Sequence, residues 1–192
     1  MAPSTLPSLF RPSRLEQAGV SRHRLRSMLR RGEAEQIARG LYRVVDAPAT
    51  EHETIATVAA RVPNGIVCLL TALHFHDIGT QLPGKVWIAI DRKARKPRTG
   101  RLPIEIVRFS GPMLRYGVET HELQGVKVRI TSPARTVVDC FKYRNKIGLD
   151  VALEALKDVI HRRMTTVQEI NDAARVCRMS TVMRPYLEMV LA

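Results

Sequence analysis

The side chains best suited to chemistry in this chain are arginines clustered near its amino-terminal end. Residues 11–43 contain nine arginines and three acidic residues, a local net charge of +6. The planar guanidinium group can hold two oxygens of a phosphate, or the O6 and N7 atoms of a guanine edge. Phosphate contacts give affinity, whereas base contacts give sequence preference. The spacing of these arginines therefore indicates which of them could read a nucleic acid.

That spacing predicts a helix from Arg22 to Arg31. Ser21 is a favourable N-cap residue, and Gly32 is a favourable residue to end the helix. At 100° per residue, the face that packs inward consists of Leu25, Met28 and Leu29. The residues on the opposite face, predicted to meet base edges, are His23, Arg26, Ser27 and Arg30.

The neighbouring segments predict a winged helix-turn-helix. Arg14–Ala18 has the pattern of a supporting helix, and Gly19-Val20 is a turn typical of two crossed helices. After Gly32, two strand-like runs flank Arg39-Gly40, which predicts a hairpin wing. The predicted DNA-binding residues are Ser21, Arg22, His23, Arg24, Arg26, Ser27, Arg30, Arg31, Arg39 and Arg43. The flanking arginines at 22, 24 and 31 are expected to clamp phosphate.

The same segment has two other interpretations: a solvated charged face, and an RNA-binding surface. A charged face alone does not require a capped second helix, a turn and a glycine-containing hairpin in this order. RNA binding by base stacking requires aromatic platforms, and Tyr42 is the only Phe, Tyr or Trp residue between Phe10 and Val45. The segment therefore favours double-stranded DNA.

The whole sequence predicts an α+β protein of two domains. Residues 1–46 form the winged helix-turn-helix, and residues 50–192 form a mixed domain with a small sheet and a helical C-terminal third. Thr50 and Glu53 have the spacing of a capping box at the start of the second domain. Helices are predicted over 51–62, 66–76, 132–143, 149–160, 166–177 and 181–191, and strands over 85–90, 104–109, 118–123 and 126–130.

Composition narrows the class of protein. The chain has 31 basic and 18 acidic residues, net +13, and a calculated isoelectric point near 10.5, which favours a polyanionic partner. Its first ten residues lack the pattern of an export signal, and no segment has the ~20 apolar residues of a membrane span. Three widely separated cysteines predict buried thiols, not disulfides. We expect a cytoplasmic protein without cofactor or metal.

Three further groups of residues could do chemistry. Asp91–Arg101 holds six basic residues and is interpreted as an exposed loop that could contact phosphate or a partner. His74 and His76 point about 200° apart on a helix, so they are interpreted as structural. Asp91 and Glu105 resemble the acidic pair of a magnesium nuclease, but Val107 stands where that motif has lysine. An enzyme is therefore the less favoured interpretation, and no catalytic residue is predicted.

Six short segments stand in a characteristic order along the chain. They are Gly19-Val-Ser-Arg-His-Arg-Leu25, Arg31-Gly-Glu33, Arg39-Gly-Leu-Tyr-Arg43, Leu70-Thr-Ala-Leu-His74, Pro83-Gly-Lys-Val-Trp87 and Ile130-Thr-Ser-Pro-Ala-Arg-Thr-Val-Val-Asp139. In these segments the chain resembles the AbiEi-like antitoxins of type IV toxin–antitoxin systems, which are linked to abortive phage infection. The last segment is similar to the strand-to-helix signature of that family.

The resemblance implies two activities. The winged helix would repress its own operon at inverted repeats, and the C-terminal domain would neutralise a co-transcribed nucleotidyltransferase toxin without forming a stable complex with it. An orphan winged-helix regulator, with a second domain that senses a ligand or dimerises, is the alternative within the same DNA-binding class. A magnesium nuclease is the alternative from the enzyme class.

Overall fold

A computed structural model of the chain describes residues 9–10, 12, 21–46, 51–98, 100 and 102–191. The predicted supporting helix at Arg14–Ala18, the turn at Gly19-Val20 and the Thr50 cap lie outside the described residues. The chain forms two compact units. The first runs to Pro63 and includes Glu122–Val128, and the second comprises Asn64–His121 and Arg129–Ala192. The predicted domains 1–46 and 50–192 stay a prediction, because a compact unit need not be an independently folding domain.

The described part of the first unit contains helices and a three-stranded antiparallel sheet. Its elements are β1 (Leu9–Phe10), α1 (Arg22–Arg30), β2 (Ala34–Ala38), β3 (Leu41–Val44) and α2 (Glu51–Arg61). The sheet order is β1-β3-β2. A small core joins α1 to the sheet and is formed by Phe10, Leu25, Met28 and Ala34. The predicted apolar face of the helix is therefore the face that packs inward.

The second unit is a five-stranded mixed sheet packed against helices. Its strands are β4 (Ile66–Val67), β5 (Val86–Asp91), β6 (Ile104–Phe109), β7 (Val118–Leu123) and β8 (Val126–Thr131), in the order β6-β5-β4-β8-β7. The hairpin between β7 and β8 carries the segment 122–128 that groups with the first unit. The helices are α3 (Leu69–Phe75), α4 (Pro133–Lys142), α5 (Arg144–Ile147), α6 (Leu149–His161), α7 (Val167–Cys177) and α8 (Ser180–Leu191). A 3₁₀ turn spans Gly111–Leu114.

Most of the predicted elements are present, and one prediction is wrong. The predicted helix over 66–76 begins only at Leu69, because Ile66 and Val67 form strand β4. Val67 pairs with Ile88 of β5 on one side and with Ile130 of β8 on the other. A strand buried between two neighbours reads as a continuous apolar run, which periodicity cannot distinguish from a buried helix. The described residues contain no helix long and apolar enough to cross a membrane.

Candidate nucleic-acid interface

Helix α1 begins and ends where the sequence predicts, and its ends fix the direction of its side chains. The Ser21 hydroxyl accepts a hydrogen bond from the Arg24 amide at 3.3 Å. At the other end, Gly32 has a φ of +71°, and the Glu33 amide donates to the Met28 carbonyl at 2.9 Å. This is the Schellman pattern that glycine favours. Both ends of this nine-residue helix are therefore satisfied by local hydrogen bonds.

The outward face of α1 carries an exposed row of cations. Arg26 and Arg30 are exposed, and neither forms an ion pair with any described residue. His23 and Arg24 are exposed on adjacent positions, whereas Leu25 and Met28 are only 6 % exposed on the inner face. This arrangement leaves two guanidinium groups available to an outside acceptor.

Two of the predicted residues, Arg31 and Ser27, form a hydrogen bond with each other. Arg31 also pairs with an acidic residue. The Arg31 guanidinium forms a bidentate ion pair with Glu33 at 2.7 and 3.0 Å. It also donates to the Ser27 hydroxyl at 2.9 Å. This pairing raises the pKa of Arg31 and lowers the pKa of Glu33. Ser27 is half-buried. Arg31 can contact DNA only in competition with Glu33.

We expect Glu33→Ala to increase DNA affinity. The change removes a carboxylate that occupies the Arg31 fork, so the guanidinium becomes available to a phosphate. Exposed ion pairs are weak, and the expected gain is about two- to fivefold in a titration of labelled DNA. Glu188→Ala, which releases the exposed Arg184 in the second unit, is the charge-matched control. Equal changes in both variants would show that Arg31 does not contact DNA.

The predicted wing is present as the hairpin of β2 and β3. Arg39 is exposed at its turn and has no acidic partner among the described residues, so it is positioned to meet a phosphate. Arg43 differs, because its Nη2 atom lies 3.1 Å from a Glu35 carboxylate oxygen and its Nε atom is buried. Strand β1, which pairs with β3 at the opposite edge from β2, was missed because two residues carry no periodicity.

The acidic pair of the nuclease alternative is not brought together in the second unit. In the parallel pair β5 and β6, Glu105 lies opposite Trp87, and Asp91 lies opposite Phe109. Four residues of strand separate them, roughly 13 Å at 3.3 Å per residue. The Oε2 atom of Glu105 instead lies 3.7 Å from the Nζ atom of Lys85. The described residues contain no group of three His, Cys, Asp or Glu side chains that could hold a metal ion.

The start of the basic loop is fixed by a neighbouring arginine. Arg108 Nη1 lies within hydrogen-bond distance of the carbonyl oxygens of Asp91, Arg92 and Ala94, at 3.1, 3.2 and 2.5 Å. The Lys93 amide donates to the Asp91 carboxylate at 2.7 Å. Residues 91–94 of the predicted exposed loop are therefore held in place by hydrogen bonds. Only the parallel register of β5 and β6 brings Arg108 to the loop.

The segment Ile130–Asp139 places a buried ion pair at the junction of β8 and α4. Arg135 and Asp139 have fully buried side chains and form a bond of 2.9 Å between Nε and Oδ1. Arg135 also donates to the carbonyls of Tyr116 at 2.6 Å and Met113 at 3.1 Å. Gly117, with a φ of +58°, passes so close that an added Cβ would lie 2.7 Å from the Arg135 Cβ. The sequence predicts that a helix starts in this segment. It does not predict the hydrogen bonds from Arg135 that hold the 3₁₀ turn and the residues after it.

Comparisons with known proteins bear on the fold and on the amino-terminal segment. Residues 5–45 match the model of a family described as transcriptional regulator, AbiEi antitoxin. The winged segment, residues 5–45, is therefore similar to that family. The match spans all the predicted DNA-binding residues, and the resemblance predicted from sequence is confirmed over this segment. The match to a family of transcriptional regulators implies DNA binding by this segment.

A solved structure resembles a larger part of the chain. The crystal structure of RV2827C protein from Mycobacterium tuberculosis superposes with a TM-score of 0.55 over 88 % of this chain and 67 % of that one, at 14 % identity. At this level of identity the match shows the fold alone. It confirms the α+β fold class predicted from the sequence. No curated protein matches the sequence significantly.

Proposed function

We propose that this protein is a DNA-binding antitoxin that represses its own operon. The observation that carries the proposal is the pair of exposed arginines, Arg26 and Arg30, on the outward face of a capped helix beside a hairpin with Arg39 at its turn. A helix of this kind enters the major groove, where arginine can bind guanine bidentately. The family match over residues 5–45 supports this role.

The second half of the proposal concerns the toxin. The chain would neutralise a nucleotidyltransferase encoded beside it, without a stable complex between the two, as a type IV system implies. Its operator would contain inverted repeats. Expression of the neighbouring toxin with and without this protein tests this directly. Rescue of growth that persists when Arg26 is replaced would separate neutralisation from repression.

Binding of the purified protein to its own upstream DNA, compared with scrambled DNA, tests the first half. We expect Arg26→Ala and Arg30→Ala each to reduce affinity for the native sequence by about 1 to 3 kcal/mol and to reduce the preference over scrambled DNA. Arg39→Ala should weaken binding to both sequences alike, because a phosphate contact carries no base information. Fluorescence anisotropy measures all three.

The matched control for these variants is Arg184→Ala. It removes one exposed arginine charge from α8 in the second unit and leaves the winged segment unchanged. It should bind both sequences like the unaltered protein. Equal losses on native and scrambled DNA for Arg26→Ala would reject base reading by that residue.

An orphan regulator with a ligand-sensing second domain is the second candidate. A cleft in the second unit, lined by cationic and apolar side chains, favours it over the dimerisation alternative. Absence of a toxin gene beside this one, together with DNA binding that responds to a small molecule, would favour this candidate.

A further inference from the structure

An open cleft lies in the second unit between the end of β5 and the turn that follows β6. Its volume is about 1110 Å³, which is ample for a small-molecule ligand. Three cations line it: Arg92, Lys93 and Arg115. All three are exposed, and no described acidic side chain forms an ion pair with them. The cleft therefore presents positive charge that the described protein does not neutralise.

The cleft also has an apolar part. Pro112, Leu114 and Tyr116 line it, and the Tyr116 side chain is 38 % exposed. The exposed ring of Tyr116 is a surface on which a planar ring can stack. Cations alone would fit any anion, whereas cations beside a free ring fit an anion that carries a planar group.

Both walls of the cleft are held from behind by arginines that do not line it. Arg108 fixes the 91–94 wall through the three carbonyl contacts described above. Arg135 donates to the Tyr116 carbonyl, and Arg129 donates to the Leu114 carbonyl at 2.7 Å. These contacts hold the backbone in place, while Arg92, Lys93 and Arg115 form no ion pair with a described residue. Such a preformed arrangement lowers the entropy cost of binding.

The lining also contains one acid. Asp91 faces the cleft, but its Oδ1 atom accepts the Lys93 amide at 2.7 Å. Three cations against one acid leave a net charge of +2, enough to attract a ligand with several phosphate charges. Nucleotides combine such phosphates with a planar base, and proteins bind them by pairing arginine or lysine with phosphate and an aromatic ring with the base.

We propose that this cleft binds a nucleotide, with its phosphates against Arg92, Lys93 and Arg115 and its base against Tyr116. The nucleotide is either free or a unit of a single strand, since both carry the same phosphate and ring. A duplex does not fit this description, because its bases are stacked in the helix interior. This binding is independent of the DNA contacts proposed for the winged segment.

Calorimetric titration of the full-length protein with ATP, GTP, inorganic tripolyphosphate and a short single-stranded oligonucleotide tests the proposal. We expect the nucleotides or the oligonucleotide to bind more tightly than tripolyphosphate. Arg115→Ala should weaken this binding about tenfold or more, through loss of a charge-assisted bond. Tyr116→Ala should weaken it as well, whereas Tyr116→Phe, which keeps the ring, should not.

Lys96→Ala is the matched control, because it removes one exposed positive charge, as Arg115→Ala does, from the loop that carries Arg92 and Lys93, but lies outside the cleft lining. It should leave binding unchanged. Preference for free nucleotides over the oligonucleotide, or the reverse, identifies the source of the ligand. Absence of binding by both, no loss in Arg115→Ala, or tripolyphosphate binding as tightly as ATP with Tyr116→Ala unaltered, would each overturn the proposal. Promoter binding is measured separately and can succeed or fail without altering this result.

Discussion

Asp139→Ala is expected to lower the free energy of unfolding of the second unit by about 3 to 5 kcal/mol. The side chains of Asp139 and Arg135 are both fully buried. Removal of this side chain leaves the guanidinium in a low-dielectric interior without the oxygen that accepts its Nε–H bond. Arg135 cannot leave its position cheaply, because it also donates to two carbonyls and lies 5.0 Å from the centre of the Phe109 ring.

Denaturant titration monitored by tryptophan fluorescence measures this effect. Trp87 is the only tryptophan in the chain and packs against the core of the second unit, so its emission reports that unit alone. The control is Glu188→Ala, which breaks the pair between Arg184 and Glu188. That pair has the same i,i+4 spacing, but its side chains are 80 % and 69 % exposed. Its loss should cost less than about 1 kcal/mol.

The cost of Asp139→Ala is also expected to depend on pH. Burial raises the pKa of Asp139 to about 6, with Arg135 acting in the opposite direction. A carboxyl whose pKa is higher in the folded state stabilises that state most at low pH, and this contribution is lost as the pH rises through about 6. The difference between the two proteins should therefore be larger at pH 4 than at pH 8. A cost that does not change with pH would show that Asp139 does not titrate in this range.

If Asp139→Ala unfolds at the same denaturant concentration as the unaltered protein, the buried pair of Arg135 and Asp139 contributes no net stability. The structure argues against this result. Asp139 Oδ2 is buried without a hydrogen-bond partner among the described residues, so the carboxylate depends on Arg135 for compensation. A charge in this position is tolerated only while its counter-charge is present.

Local sequence signals located the ends of the helices well. Ser21 caps α1 as predicted, and Thr166 and Glu169 form a capping box at the start of α7, with bonds in both directions. The Arg39-Gly40 turn of the wing was also found. These features depend on contacts within three or four residues, which the order of the side chains specifies directly.

Features that depend on distant residues were not found. Strand β4 is two residues long, and only its pairing with β5 and β8 makes it a strand. The cleft in the second unit requires Arg108, Arg129 and Arg135 to meet carbonyls that lie 14 to 22 residues away in sequence. No spacing rule in the sequence encodes such contacts. The sequence therefore predicted a basic loop and a separate helix start, but not the cleft.

Binding of the winged segment to its operator is expected to weaken steeply with salt. If each segment makes about five to eight arginine–phosphate contacts, log K should fall with log salt at a slope of about −5 to −7. A rise from about 50 to about 200 mM salt then reduces affinity by about 10³- to 10⁴-fold. Fluorescence anisotropy across a salt series gives the slope.

The exposed guanidinium groups of α1 and the wing set this expectation. Arg39 has no ion-pair partner among the described residues, so its phosphate contact releases counterions without first breaking an ion pair within the protein. Arg39→Ala should make the slope shallower by about one, because one phosphate contact is removed. Arg184→Ala should leave the slope unchanged. A slope of log K against log salt of about −2 or flatter in the unaltered protein would contradict binding of the duplex through arginine–phosphate contacts. Five such contacts would release more counterions than that slope allows.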